Sequence, residues 1–393
     1  MSSDSQQLDV RAGTTKVLVL TYTPLARSPR VLKQVDALRG HHDVTTAGFG
    51  PSPFGDVRHV ALPSGSPIRW GLVGRALNAL LLLLRLHPLV SALRARDRVA
   101  LAALSRDSWD LVFAHDLPTL NVALRLKPRR GVVLDLHEYA PTENAHSRRW
   151  RLFIAPYVRW ELRTRARKAV VVVAVAEGIR QKYREEFGFD CLVVPNMTPY
   201  QELDPGAVQL PIRLVHSGVA SPDRGIDQII LGVRRSTADV TLDLYLVQDA
   251  AGTLDSLREM ADGESRIAFH EPASYDDLVR TLNARDVGIH LLPPVNFNNL
   301  MALPNKLFDF VQARLGVIVG PSPEMARIVR EHGLGDVLVD FDADTLARRL
   351  DSLTTREVGE WKLASHRSAR ALSSESYRKV WLDVVSRITA QTR

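Results

Sequence analysis

The sequence predicts an α/β fold built from two doubly wound domains. Its 393 residues exceed what a single hydrophobic core usually organises. In both halves of the chain, short apolar strands alternate with amphipathic helices, which is the order of a parallel sheet covered by helices. The stretch 197–211 contains prolines and a glycine but no periodic apolar pattern, so it predicts a linker. We therefore expect a first domain over 16–196 and a second over 212–375.

The first half of the chain has the element order of a doubly wound domain. After a polar tail at 1–15, which we expect to be disordered, Lys16–Tyr22 is apolar on both faces and predicts a buried strand. A loop follows in which Ser28 can cap a helix at Arg30–Leu38, and His42–Ala47 predicts the second strand. The loop lacks the GxGxxG pattern, which disfavours a nicotinamide-dependent enzyme.

Two later strands of the first half end in polar residues. One strand ends in His115 and Asp116, and the next, Gly131–Leu136, is followed by His137 and Glu138. Ligands of open α/β sheets bind outside the carboxyl ends of the strands. These four side chains are therefore expected at one sheet edge, where they predict a functional site.

In the second half, Ala302–Gly320 combines a turn, a short amphipathic helix and an apolar strand. Lys306 and Asp309 are three residues apart, so they project from the same side of that helix. An ammonium group suits a phosphate, and a carboxylate can accept hydrogen bonds from ribose hydroxyls, so the pair favours a phosphorylated sugar. A surface ion pair is the alternative that these residues alone leave open.

A loop earlier in the second half has features of a phosphate loop. It follows the predicted strand Ile212–His216. In it, Gly218 lets a ligand approach the backbone and Arg224 can bind phosphate with two nitrogens. A plain strand-to-helix turn with a surface arginine is the alternative. The last segment, Tyr377–Ala390, has apolar residues at helical spacing, and we expect 376–393 to pack back on the first domain.

Charge and cysteine content restrict the class of protein. The formal net charge of +7 and the isoelectric point near 9.7 favour anionic partners. The single cysteine, Cys191, excludes internal disulfides and fits a reducing compartment. No zinc-type spacing of cysteine and histidine occurs, so no metal site is predicted.

Two segments are rich in basic residues. Arg69–Arg98 contains a leucine run that is too short to span a bilayer; it predicts either an interfacial helix or a buried core helix. Arg148–Lys168 interleaves arginines with aromatic residues, which suits a membrane surface, a solvated helix or nucleic acid, although no nucleic-acid motif accompanies it. Together they predict a cytoplasmic protein attached peripherally to anionic lipid on the inner face of the cell membrane, with no nucleic-acid partner.

The ordered set of motifs resembles the metal-independent glycosyltransferases of the GT-B fold, in particular their retaining, family 4-like branch. The resemblance extends from Lys16 to Ile388. It is carried by VLVLTY…RSPRVLKQVDAL, LVFAHD, VVLDLHEYAPTE, VVPN, HSGVASPDRGIDQII and LPNKLFDFVQARLGVIVGPSPEMARIV. It implies two Rossmann-like domains that face each other across a cleft, a nucleotide sugar as co-substrate, and no cofactor or metal.

The resemblance also implies roles for individual residues. Lys306 and Arg224 would hold the donor diphosphate, Asp309 would bind the ribose, and His137 would lie near the transferring sugar. The implied catalytic residues are His137, Lys306 and Arg224. The implied donor-binding residues are Gly218, Arg224, His270, Asn305, Lys306 and Asp309. The implied acceptor-side residues are Arg27, His115, Asp116 and Glu138.

The implied function is transfer of a hexosyl group with retention to a glycan or lipid-linked acceptor, in cell-envelope, polysaccharide or glycoconjugate synthesis. UDP is favoured over GDP in the donor. The sequence departs from the family where an acid usually stands eight positions before the ribose-binding residue, because that position is Met301. Asn298 or Asn299 could substitute for it. A weakened homologue acting as an accessory subunit and a sugar-nucleotide epimerase on the same fold are the alternatives.

Overall fold

A computed structural model describes residues 14–64, 72–249, 252–274 and 276–390. The chain divides into two compact units. Unit 1 comprises Met1–Ala174, Arg180–Val193 and Arg378–Arg393, and unit 2 comprises Val175–Ile179 and Val194–Tyr377. The tail predicted at 1–15 lies outside the described residues up to position 13.

Unit 1 contains a seven-stranded parallel sheet in the order β3-β2-β1-β4-β5-β6-β7. Its strands are β1 Lys16–Pro24, β2 Asp43–Phe49, β3 Arg58–Leu62, β4 Leu111–His115, β5 Gly131–Leu136, β6 Val171–Ala174 and β7 Leu192–Val193. Strand order reverses at β1, with β2 on one side and β4 on the other. Such a reversal leaves a crevice at the carboxyl ends of the two strands.

In the described residues, seven α-helices precede the second sheet, six of them wholly in unit 1. They are α1 Pro29–Leu38, α2 Leu72–Leu83, α3 His87–Ala92, α4 Ala95–Leu104, α5 Leu117–Arg125, α6 Ala155–Thr164 and α7 Glu177–Phe187. A π-helical turn, Trp150–Ile154, leads into α6. Ser28 precedes α1 as predicted, but its hydroxyl donates to the carbonyl of Pro24 and makes no capping bond.

Unit 2 contains a six-stranded parallel sheet in the order β10-β9-β8-β11-β12-β13. Its strands are β8 Ile212–Val219, β9 Val240–Val247, β10 Ile267–His270, β11 Val287–His290, β12 Gly316–Val319 and β13 Gly335–Val337. Its helices are α8 Ile226–Arg235, α9 Thr253–Met260, α10 Leu278–Asn283, α11 Phe297–Leu300, α12 Asn305–Gln312, α13 Pro323–His332, α14 Ala343–Asp351 and α15 Thr355–Ser368. The prediction of two doubly wound α/β domains is confirmed.

The last helix, α16 Glu375–Ala390, returns the chain to unit 1 as predicted. Its buried Trp381 packs edge-on against Phe113 of β4, with ring centroids 6.1 Å apart. The same indole lies under the guanidinium of Arg30, 5.6 Å from the ring centroid. The stretch 197–211, predicted as a linker, packs on unit 2 near its start, where the Arg314 guanidinium donates to the carbonyl of Gln201 at 2.6 Å.

The leucine-rich segment is divided among α2, α3 and α4, and residues 65–71 lie outside the described part. Of the two predicted alternatives, a fully buried helix is excluded, because Leu77, Leu80 and Leu83 of α2 are 41%, 49% and 60% exposed. Leu81 and Leu82 face inward and pack with Val90 and Tyr157. None of the helices in the described ranges is long and apolar enough to cross a bilayer.

Candidate functional site

Lys306 lies directly over Gly218 in unit 2. Gly218 is near the carboxyl end of β8 in a left-handed conformation with φ of 137°, and Lys306 is the second residue of α12. A Cβ atom built on Gly218 would overlap the Cε and Nζ atoms of Lys306. The missing side chain at 218 therefore creates the space that the ammonium group occupies beside the sheet edge.

Lys306 has a lowered pKa. Burial, followed by the nearby Arg224, lowers the pKa of its ammonium group to about 8, with Asp309 partly offsetting the shift, so the group is still mostly protonated at pH 7. Arg224 ends a short 3₁₀ helix, Pro222–Arg224, and its side chain is one third exposed. Arg224 Nε also lies 3.8 Å from Asp223 Oδ1, and Asp309 is near Lys306. Two cationic side chains close together at a sheet edge still supply several N–H donors to an anion.

Two histidines that the sequence analysis did not select lie beside Lys306. His216 of β8 and His290 at the end of β11 are fully buried, and their rings stack with centroids 5.5 Å apart. His216 Nδ1 donates to the carbonyl of Ile289 at 2.7 Å, so its Nε2 carries a lone pair. Burial, then Lys306, lowers the pKa of His216 to about 3 and that of His290 well below its usual value. Both rings are neutral, and neither His216 Nε2 nor the His290 nitrogens have a partner within the described chain.

Asp309 lies one turn after Lys306 and is buried, with 7% of its surface exposed. Its Oδ1 accepts a 2.5 Å hydrogen bond from the hydroxyl of Thr198. Lys306 and Asp309 are three positions apart on α12, so they project from the same side of the helix, as the sequence predicts. Asn305 is the first residue of α12 and is half-buried.

His270 belongs to a different cluster of unit 2. Its imidazole stacks on Tyr245, its partner in register on β9, with centroids 4.7 Å apart, and its Nε2 bonds to the carboxylate of Asp243. Arg285 forms a 2.6 Å ion pair with the same carboxylate. The side chain of His270 therefore contacts residues of β9. Its predicted part in binding the nucleotide-sugar donor would come from the backbone around it.

In unit 1, the structure brings His115 and His137 together. His115 Nε2 donates to Gln34 Oε1 at 2.8 Å, so its Nδ1 accepts from His137 Nε2 at 3.1 Å. His137 Nδ1 in turn lies 3.5 Å from Asp116 Oδ2. Burial lowers the pKa of His115 to about 3, partly offset by Asp135. His115 is therefore neutral and holds His137, which is partly exposed, in one orientation.

A buried ion pair lies next to these histidines. Arg30 of α1 donates from Nε and Nη2 to the two oxygens of Asp135 on β5, each at 2.7 Å. The residues are 5% and 0% exposed. Asp135 Oδ2 also lies 3.6 Å from His115 Nδ1. Sequence reasoning missed this pair, since Asp135 is an interior residue of an apolar strand.

Three carboxyl groups lie at the same edge of unit 1. Asp116 has a left-handed conformation with φ of 62° between β4 and α5, and Glu138 follows β5. Partial desolvation, with Glu138 and Asp116 adding to it, raises the pKa of Glu143 to about 7. Glu143 was not predicted, because its raised pKa arises mainly from burial, which depends on the fold. Arg27, predicted on the acceptor side, is exposed at the end of a 3₁₀ turn.

The search for relatives gives matches only among solved structures. No family model and no curated protein matches the sequence. Sucrose-phosphate synthase from Thermosynechococcus elongatus superposes with a TM-score of 0.72 at 12% identity, over 96% of this chain and 100% of that chain. HepE from Anabaena, in complex with UDP and glucose, gives a TM-score of 0.67 at 14% identity, over 95% and 99%. WaaG, a glycosyltransferase involved in lipopolysaccharide biosynthesis, gives 0.62 at 13% identity, over 93% and 99%.

The chain has the GT-B fold. The whole length of each of these proteins is matched by nearly the whole of this chain. At 12–14% identity the likeness establishes the fold, and the roles of residues within the GT-B fold depend on the geometry described above.

Within this GT-B chain, one group of described residues has the donor atoms of a metal site: His115, Asp135 and His137, whose ligand atoms lie within 4.8 Å of one another. The arrangement does not suit a cation, because Arg30 already binds both Asp135 oxygens. The acidic pair Asp340 and Asp342 serves local structure: Asp342 caps α14 by accepting from the Thr345 amide at 2.7 Å.

Proposed function

We propose that this chain is a retaining glycosyltransferase that moves a hexosyl group from a UDP-sugar to a glycan or lipid-linked acceptor in cell-envelope or polysaccharide synthesis. The observation that carries the proposal is the position of the Lys306 ammonium over Gly218, with Arg224 nearby. Structures with the same fold were determined with UDP and glucose and with UDP-glucose, and one belongs to lipopolysaccharide biosynthesis. UDP is favoured over GDP on these grounds.

The proposed chemistry of unit 2 follows from charge. As the sugar becomes oxocarbenium-like, negative charge accumulates on the leaving diphosphate, and fixed cations stabilise it. Lys306 and Arg224 would supply that charge, with the amino terminus of α12 adding backbone donors. The buried, neutral His216 and His290 add no further positive charge. We propose that no metal is needed, because Lys306 and Arg224 would supply the positive charge that a metal ion would otherwise bring.

The remaining proposed roles are assigned unit by unit. In unit 2, Asp309 would accept from the ribose hydroxyls in addition to Thr198, which is compatible with the several lone pairs of a carboxylate. Asn305 would contact the phosphate, and the backbone at His270 would meet the base. In unit 1, His137 would act on the sugar. The acceptor would be bound by Arg27, His115, Asp116 and Glu138, with His115 acting by orienting His137.

The affinity for UDP is expected to depend on pH through Lys306. The Lys306 ammonium group, with a pKa of about 8, must be protonated to bind diphosphate. The affinity for UDP is therefore highest below pH 8 and falls by up to about tenfold per pH unit above it. Thermal shift from pH 7 to 9.5 measures this; saturation at a hundredfold excess over Kd contributes about 2.7 kcal/mol. The matched control is Lys306→Arg, whose guanidinium stays charged, so its profile should be flat. If UDP, GDP and ADP all fail to stabilise the wild-type protein at pH 7, the transferase proposal is wrong.

A weakened, accessory role is favoured by one observation. At the position where the family has an acid, Met301 offers only a thioether, and it packs against Gly178. The amide nitrogen of Asn299, one possible substitute, lies 3.4 Å from oxygens of Asp223 and Pro293. UDP binding without turnover on any lipid-linked or glycan acceptor would support the accessory role.

We also propose that unit 1 attaches peripherally to anionic membrane on the cytoplasmic face. Leucines on and after α2 point outward beside arginines, and Leu152 in the Arg148–Lys168 segment is 65% exposed. A row of leucines can enter the acyl boundary while the basic side chains meet anionic headgroups.

Replacing Leu83 and Leu84, which are 60% and 56% exposed, by Gln should weaken binding to anionic vesicles about tenfold or more, because two leucines no longer enter the lipid. Cosedimentation measures the affinity, which should also decrease with added salt. The control is Leu363→Gln on α15, where a single leucine is 50% exposed. Equal binding by the double variant and the control would exclude this attachment surface.

A further inference from the structure

A cationic pocket lies beside the outward-facing leucines of unit 1. It is a cavity of about 420 Å³ where the end of α2 and the start of α3 meet α6. Its lining residues are Arg85, His87, Pro156, Arg159, Trp160, Arg163 and Thr164. Three arginines and no acid line it, so its own chemistry suits an anion.

Two of the three arginines lack a compensating charge. Arg159 pairs with Glu186 at 2.7 Å. Neither Arg85 nor Arg163 has an acidic partner in the part of the chain that the structure describes, although Arg163 lies over the ring of Phe187. Arg85 is held in a left-handed conformation, with φ of 56°, between α2 and α3. The pocket therefore keeps at least one net positive charge at its mouth.

His87 supplies a buried polar atom with no partner. The residue is 7% exposed, its ring packs against Tyr157 and Trp160, and its Nε2 makes no hydrogen bond within the described residues. Burial, followed by Arg85, lowers the pKa of His87, so the ring is neutral. A neutral imidazole can donate one N–H to an anion without adding a further buried charge.

The position of the pocket indicates where its ligand comes from. Arg85 and His87 alternate along the chain with Leu84, Leu86 and Leu89, which are 56%, 41% and 49% exposed. If these leucines enter the acyl boundary, the pocket lies at the level of the headgroups, where phosphate groups are concentrated.

We propose that this pocket binds the phosphate group of an anionic lipid headgroup. Phosphate oxygens accept from the guanidinium groups of Arg85 and Arg163 and from His87, while the leucines hold the lipid-facing side of the unit. The inference rests on the membrane attachment proposed above and does not depend on nucleotide binding.

A comparison of two variants with the same charge change tests the proposal. Arg163→Gln removes one charge from the pocket, and Arg129→Gln removes one charge from an arginine that is 72% exposed just before β5. With the full-length chain and phosphatidylcholine vesicles containing phosphatidic acid, we expect Arg163→Gln to weaken binding about tenfold and Arg129→Gln less than twofold. Equal losses would mean that only diffuse charge attracts the membrane, which overturns the proposal.

A second variant removes the donor but not the charge. His87→Phe preserves a ring against Trp160 and deletes the nitrogen. We expect it to weaken binding to the phosphatidic acid vesicles at least threefold while leaving thermal stability unchanged or higher. Unaltered vesicle binding by both His87→Phe and Arg163→Gln would refute the site.

Inorganic phosphate, a soluble probe, distinguishes a site for lipid phosphate from a site for a free anion. If inorganic phosphate stabilises the wild-type protein but not Arg163→Gln, while vesicle binding is the same for both, the pocket holds a soluble anion and the lipid assignment is wrong. UDP stabilisation is measured in parallel and should be identical for wild type, Arg163→Gln and Arg129→Gln. If the wild-type protein does not bind UDP, the transferase proposal is wrong and the lipid proposal is unaffected.

Discussion

Replacing Lys306 by Met is expected to lower the rate of transfer severely while leaving the fold intact. Under the proposed mechanism, the ammonium stabilises the leaving diphosphate, and loss of one such donor typically lowers turnover by about 100-fold to 1,000-fold. Affinity for UDP should fall about tenfold to 100-fold, because a charge-assisted hydrogen bond to phosphate is lost. Hydrolysis of UDP-sugar and isothermal titration with UDP measure the two effects.

Stability should change in the opposite direction. Lys306 has a lowered pKa because it is buried beside Arg224, so its charged form costs folding free energy. A methionine of similar length removes that cost, and the ligand-free variant is expected to melt no lower than the wild type. This combination distinguishes a lost ligand contact from a damaged fold.

Gly218→Ala tests the same geometry without changing any charge. The new Cβ would overlap Cε and Nζ of Lys306, and the left-handed conformation at 218 disfavours any side chain. Lys306 must move, so UDP affinity should fall although the ammonium remains. The control for Lys306→Met is Lys379→Met, which removes the same charge at an exposed position of α16 and should bind UDP like the wild type. Normal UDP affinity in both Lys306→Met and Gly218→Ala would contradict the proposed diphosphate site.

The placement of the histidines shows how far strand-end reasoning extends. Because parallel strands end at one edge, His115 and His137 could be placed together from the sequence, and their nitrogens are 3.1 Å apart. The same rule, applied to the second half, would have selected His216 and His290.

Other features of the site depend on register and on distant contacts. His270 was expected in the donor set, but its neighbours on β9 are Tyr245 and Asp243, and a strand pairing of this kind is not encoded in local sequence. Arg30 and Asp135 are 105 residues apart, and each looks ordinary in its own element. The leucine run in Arg69–Arg98 fits both an interfacial helix and a buried core helix. Composition shows that the run is hydrophobic but not whether other residues cover it.

The Arg30–Asp135 pair leads to the largest stability effect that we expect. Asp135→Ala leaves the buried Arg30 guanidinium, which lies over Trp381, without its carboxylate, and breaking one side of a buried ion pair costs about 3–5 kcal/mol. The matched control is Asp107→Ala, which removes the partner of Arg58 in an ion pair whose side chains are 59% and 29% exposed. That pair is screened by water, so its loss should lower the stability far less than the loss of Asp135. Thermal unfolding of the full chain compares the two variants.

A double substitution separates the cost of the unpaired charge from the value of the pair itself. Arg30→Met combined with Asp135→Leu fills the same space with apolar atoms, so it should recover most of the stability that Asp135→Ala loses. It also removes the Asp135 carboxylate, which partly offsets the lowering of the His115 pKa by burial. The double variant should therefore fold but transfer sugar more slowly, because His115, which orients His137, loses the Asp135 carboxylate that lies 3.6 Å from its Nδ1. If Asp135→Ala is no less stable than Asp107→Ala, the pair does not hold the carboxyl edge of this sheet together.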